Sequence, residues 1–145
     1  MDELPPLPSD IVDTLNNMRG GFDRLIGLTF VAVSYAELKA ELPMHEGLTQ
    51  PYGLVHGGVY AAAIETVTSA GSAMHALAAG RSCVGLENST SFLRGAHEGT
   101  LTITARPLTQ GRKTSVWSAE VHDCDARLVA TGRVRHLLLE GRPGA

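Results

Sequence analysis

The densest apolar stretch of the chain, GLVHGGVYAAAIETVTSAGSAMHALAAG at residues 53–80, holds a single carboxylate, Glu65. Its length and its alanines predict a helix over residues 59–78, because strands rarely run so long and alanine is the best helix former. Val59, Tyr60, Ala61, Ala62, Ala63 and Ile64 point in every direction around such a helix. That distribution marks a buried helix, since a surface helix shows one apolar stripe. Gly71, Ala73, Ala76 and Ala78 are small enough for a sheet to curl closely around it.

On the N-terminal side, SDIVDTLNNMRGGF sets Ile11, Leu15 and Met18 at helical spacing, with Ser9 or Asp10 as cap and Gly20-Gly21 as stop. LIGLTFVAVSYAELKAELPM is rich in β-branched and aromatic residues and roughly alternates from Val33 to Leu42, which predicts two strands or one long bent strand. HEGLTQPYGLV has the composition of a loop. After the apolar helix come four strand-like segments, SCVGLENSTSFLR, TLTITARPL, KTSVWSAEVHD and RLVATGRVRHLLL, broken by GAHEG, TQGR and DCDA. Four consecutive strands after one central helix predict an antiparallel sheet packed on that helix, in the α+β class. A parallel doubly wound sheet would need alternating helices, and the pattern has none.

Composition adds a scale. With 145 residues and 43% hydrophobic content, the chain is expected to form one domain over 1–145, residues 1–20 being a tail and the short helix. A net charge of -3 gives no general basic field, so neither nucleic acid nor an anionic membrane is an expected partner. Residues 1–90 carry four Lys/Arg and ten Asp/Glu, a balance of -6, whereas residues 91–145 carry eight and five, a balance of +3. A mildly basic patch in the second half, or simply a solvated face, follows from that split. Cys83 and Cys124 lack a C-x-x-C or metal-ligand partner and read as unpaired thiols. The acidic, proline-rich MDELPPLPSD is unlike a signal or transit peptide, which gives a cytoplasmic expectation. Residues 47–64 are uncharged, but Gln50, Pro51, Tyr52, His56 and the interior glycines make them too polar for a bilayer span.

A carboxylate in a buried helix must be hydrogen-bonded, paired or shifted toward its neutral form. At 100° per residue Thr68, Ser69 and Ser72 fall within about 60° of Glu65, giving a polar stripe on an apolar cylinder. Either this stripe satisfies the charge, or the charge faces a wet subunit interface, or it is aimed into a cleft. Burial favours the cleft. At the start of the helix Gly57 and Gly58 let a ligand approach free backbone N–H groups, an oxyanion hole in kind; a tight loop-to-helix junction would also use them. Eight residues at 1.5 Å separate Gly57 from Glu65 by about 12 Å along the axis, too far for one carbonyl to touch both. If both serve one substrate, Glu65 comes from the same helix in a second, antiparallel copy, and the protein is a dimer with composite sites.

The segment QPYGLVHGGVYAAAIET resembles the hotdog-fold acyl-CoA thioesterases, in particular the branch of phenylacetate-pathway and hydroxybenzoyl-CoA thioesterases. Gln50 lies six residues before His56 of His-Gly-Gly and Glu65 nine residues after it, and NSTSFLRGA and GRKTSVWSAEV extend the likeness over nearly the whole chain. The resemblance implies a long helix wrapped by a curved antiparallel sheet, a homodimer joined sheet edge to edge, and a homotetramer of two such dimers. It implies that Gly57 N–H and the Gln50 amide bind a thioester carbonyl. Glu65 of the partner subunit would attack it or activate water, His56 would order the helix start, and Ser69 would help place a water. Coenzyme A enters as part of the substrate and no separate cofactor is expected. Arg94, Arg112, Lys113, Thr114 and Arg142 are candidates for its phosphates, against the alternative of ordinary surface charge.

Other chemistries find less support. A dehydratase of this fold would show a His-Phe-Pro-Gly type start, or an Asp with a His five residues on. A serine hydrolase would show G-x-S-x-G, and a metal site a spaced histidine pair; the chain has none of these. A non-catalytic acyl-CoA-binding protein would have no need of both Gln50 and Glu65. The expected activity is hydrolysis of an aryl- or medium-chain acyl-CoA to free acid and CoA.

Overall fold

The computed structural model describes residues 4–141. Helix α1 (Ile11–Met18) follows Asp10, whose side chain makes no cap bond, and a second helix, α2 (Gly21–Ile26), comes directly after it. Leu25 and Ile26 therefore belong to a helix, not to the start of a strand as their β-branched and apolar neighbours suggest. The cause is Gly27, which adopts φ +84 and returns its N–H to the Asp23 and Arg24 carbonyls, closing a short helix that local composition does not reveal. Asn16 pins α1 to the sheet by bonding both the N–H and the C=O of Phe30, at 2.8 and 2.9 Å.

Strands β1 (Thr29–Val33) and β2 (Leu38–Pro43) form a hairpin, closed where Ser34 N–H reaches Glu37 O at 2.9 Å. A loop leads to helix α3 (Gly57–Ala78), then to β3 (Arg81–Phe92), β4 (Thr100–Gln110), β5 (Thr114–His122) and β6 (Leu128–Glu140). All pairings are antiparallel in one six-stranded sheet of order β1-β2-β4-β5-β6-β3, so β1 and β3 are its edges. This is the hotdog arrangement of a curved sheet around a long central helix. Among the described residues no helix is long and apolar enough to cross a membrane.

The core lies between the sheet and one side of α3, where Ile64 and Val67 meet Leu38, Leu42, Leu101, Ile103, Trp117 and Val134. Burying each of these large side chains contributes about 1.5–3 kcal/mol. Gly71 is required by the closeness of the packing, since a Cβ there would lie 2.4 Å from the Trp117 ring. The opposite side of α3, with Ala62, Glu65, Thr66, Ser69 and Ala73, is only half-buried. The sheet wraps α3 as expected but does not close over every side: Glu65 lies at the rim, on a half-buried face bordered by edge strand β3.

Candidate active site

Helix α3 begins two residues before the apolar run suggests, because a side chain caps it. His56, in an extended conformation, accepts the Gly58 N–H on Nδ1 at 2.9 Å. The Gly57 N–H, one position earlier, is not taken by this cap. The approach to the helix is fixed by backbone bonds: His56 N–H to Leu48 O at 2.9 Å, Val55 N–H to Ala96 O at 2.8 Å, and Gln50 N–H to Leu54 O at 2.8 Å. Gln50 Oε1 accepts from the Tyr52 N–H, which leaves its amide NH2 to donate elsewhere. Gln50, Gly57, Tyr60, Phe92 and Arg94 line one cavity of about 340 Å3. A Cβ at Gly57 would lie 2.7 Å from the exposed Phe92 ring, which would have to turn aside to admit it. On the other flank of the helix start, Phe22, Leu25, Leu48, His56, Gly58 and Val59 help to line a second cavity of about 400 Å3.

Glu65 opens into neither cavity. It sits two turns further along α3, held by one side chain from the sheet and one from its own helix. Asn88 of β3 donates from Nδ2 to Glu65 Oε2 at 3.0 Å and to Ala61 O at 3.0 Å. Thr90 donates to Asn88 Oδ1 at 2.7 Å and so fixes which way that amide faces. From α3 itself Ser69 donates to Glu65 Oε1 at 3.2 Å, and Ser69 Oγ lies 3.1 Å from Nε2 of His136, which is fully buried in β6. Of the predicted hydroxyl stripe only Ser69 reaches the carboxylate. Thr68 bonds back to the Ile64 and Glu65 carbonyls, and Ser72 pairs with Ser115 of β5 at 2.7 Å. Gly85 of β3 faces the same carboxylate so closely that a Cβ would lie 2.8 Å from Oε1. Burial pushes the His136 imidazole below its ordinary value, an effect the nearby Glu65 charge opposes only in part. Burial likewise pushes the free, half-buried Cys83 thiol up, whereas Cys124 lies exposed in the turn between β5 and β6.

Asn88, Gly85 and His136 were not singled out from the sequence. Asn88 lies in the NSTSFLR segment already matched to the resemblance, and His136 takes the inward phase of a strand whose outward positions are Arg133 and Arg135. A histidine in the apolar phase of a strand was the one legible signal. The candidate phosphate-binding residues separate into two places. Arg94 is exposed beside Gln50 and Gly57, whereas Arg112, Lys113 and Thr114 are exposed at the turn joining β4 and β5. That turn is at the far end of α3, where Ser115 meets Ser72 and the Arg112 carbonyl accepts from Arg81. Arg142 lies outside the described residues.

The chain is similar to known proteins over most of its length. The model of the thioesterase superfamily matches residues 52–136. Rv1847 of Mycobacterium tuberculosis, which carries a provisional esterase name, is 38% identical over 129 residues, 88% of this chain and 92% of its own length. Its solved structure superposes with a TM-score of 0.81 over 84% of this chain and 98% of that one. The 1,4-dihydroxy-2-naphthoyl-CoA hydrolase of Escherichia coli is 28% identical over 88% of this chain and 94% of its own. A solved Haemophilus influenzae thioesterase, HI1161, gives a TM-score of 0.86 at 25% identity, over 97% of this chain and 96% of that chain.

Proposed function

The chain belongs to the thioesterase superfamily and is a thioester hydrolase; from that premise we propose that it hydrolyses an aryl- or medium-chain acyl-CoA to the free acid and coenzyme A at sites shared between two subunits. The observation that carries this reading is the division of the functional groups along α3. Gln50 and Gly57 line one cavity, while Glu65 is held outside it, two turns further along the helix, on the half-buried face. One copy has half a site at each place.

Edge strand β3 supports the way the halves combine. It runs from Arg81 to Phe92 with Val84 and Leu86 exposed at 46% and 49%, and a long apolar edge needs cover. Pairing it with its own copy across a two-fold axis joins two sheets into one and sets the α3 helices antiparallel, so that Glu65 of the partner subunit approaches Gly57. The phosphate-binding candidates then divide sensibly. Arg94 comes with the carbonyl-binding half, and Arg112, Lys113 and Thr114 come with the half that brings the carboxylate. The cavity of about 400 Å3 beside Gly58, walled by Phe22, Leu25 and Val59, has room for an aryl or medium-length acyl group.

In this reading the Gly57 N–H and the Gln50 amide hold the thioester carbonyl oxygen and stabilise the negative charge it gains. Glu65 takes a proton from water as the water oxygen adds to the carbonyl carbon. The tetrahedral intermediate collapses with cleavage of the C–S bond, and the proton passes to the departing thiolate. Direct attack by Glu65 would instead pass through an anhydride, and single turnover in oxygen-labelled water with mass analysis of Glu65 separates the two routes. The substrate class is tested with a panel of aryl- and fatty acyl-CoAs, reading free thiol. Turnover of aryl or medium-chain members is the expected result. CoA binding without turnover of any member would identify a non-catalytic acyl-CoA-binding protein.

A further inference from the structure

We propose that His136 is a positioning residue for the hydrolysis: its Nε2–H donates to Ser69 Oγ and thereby turns the single serine proton toward Glu65 Oε1. This rests on the reading of Glu65 as the catalytic carboxylate. The direction of the chain follows from donor and acceptor counting. Ser69 Oγ has one proton and two contacts, Glu65 Oε1 at 3.2 Å and His136 Nε2 at 3.1 Å. An ionised carboxylate can only accept, so the serine proton goes to Glu65 and Nε2 must supply the other one. The opposite arrangement, with Ser69 donating to Nε2, would leave two oxygens facing each other without a proton between them.

His136 Nδ1 is buried with no hydrogen-bond partner among the described residues. A proton on Nδ1 would therefore be a donor with nothing to receive it, which disfavours both the other neutral tautomer and the imidazolium. The imidazole is thus confined to one state, neutral with Nε2–H. Asn88 holds Oε2 from β3 in the same manner, with its own orientation set by Thr90. The carboxylate plane is fixed from two strands. A general base whose orientation is fixed avoids the loss of rate that follows from small misplacement of a reacting group.

The consequence is measurable in kcat. His136→Leu removes the donor while keeping an apolar side chain in the strand, and His136→Gln keeps an N–H donor close to the Nε2 position. His136→Leu is expected to lower kcat by about tenfold with KM within about twofold of wild type. His136→Gln is expected to recover most of that loss. In a Ser69→Ala background the step from His136 to Leu should cost nothing further, because the serine through which it acts is gone. Unchanged kcat in His136→Leu, no recovery in His136→Gln, or additive losses in the double variant would each overturn the proposal. Nitrogen-resolved NMR of histidine-labelled wild-type protein gives a second readout that needs no variant to fold: the Nε2–H tautomer supports the chain and the Nδ1–H tautomer overturns it. Glu65→Gln measured alongside keeps the two readings apart. Near wild-type turnover there removes the catalytic carboxylate itself, whereas loss of turnover there with no effect of His136→Leu removes only the His136 role.

Discussion

A methyl group added at Gly85 would lie 2.8 Å from Glu65 Oε1, and one added at Gly71 would lie 2.4 Å from the Trp117 ring. The two clashes predict opposite phenotypes, because the atoms met differ in what they can do. The Glu65 carboxylate ends a flexible side chain on the half-buried face of α3 and can swing aside, losing its bonds to Ser69 and Asn88. Gly85→Ala is therefore expected to lower turnover by about tenfold or more while leaving unfolding free energy within about 1 kcal/mol of wild type. Trp117 is fully buried and has nowhere to go. Gly71→Ala is expected to destabilise the fold by about 1–3 kcal/mol, read by denaturant titration. Equal stability losses in the two variants would contradict this account of the site.

At the scale of elements, the start of α3 is fixed by one side chain. His56 Nδ1 caps the helix through Gly58 N–H, so His56→Ala is expected to cost about 1 kcal/mol and His56→Asn to restore most of it, as measured by thermal or denaturant unfolding. The elements themselves were largely legible. The run from Val59 to Ala78 is too long for a strand, and GAHEG, TQGR and DCDA break the second half where the strands end. Helix α2 was not legible, because six residues between Gly20 and Gly27 are too few to show a helical period. In the site, Glu65 stood out as one charge in an apolar run and Gly57 as a helix start open to a ligand, while the part expected of Gln50 came from the family resemblance. His136 and Asn88 escaped because they meet Ser69 and Glu65 across separations of 67 and 23 residues. Local periodicity can say that His136 points inward, but only the pairing of β6 with β3 and β5 brings it to Ser69.

For the whole molecule, the buried imidazole predicts how stability varies with pH. The folded state holds His136 below its ordinary value of 6.5, so as pH falls through 6.5 the unfolded chain binds a proton that the folded chain does not. The stabilisation is complete above 6.5 and is lost progressively as the pH falls toward the folded-state value. Asp123 is also lowered, chiefly by the Arg127 backbone N–H, but from an ordinary value of 3.8, so its effect belongs to a separate and more acidic window. Unfolding measured between about pH 7 and pH 5 should therefore fall more steeply in wild type than in His136→Leu. The central claim concerns two molecules: the groups that bind the carbonyl and the group that drives attack on it belong to different subunits. Glu65→Gln chains and Gln50→Ala chains, each nearly inactive alone, are to be mixed, exchanged and assayed with an accepted acyl-CoA. The account predicts that mixed dimers regain activity, because one of their two sites then holds an intact Gln50 and an intact Glu65. Mixed dimers that demonstrably form and remain inactive would contradict it.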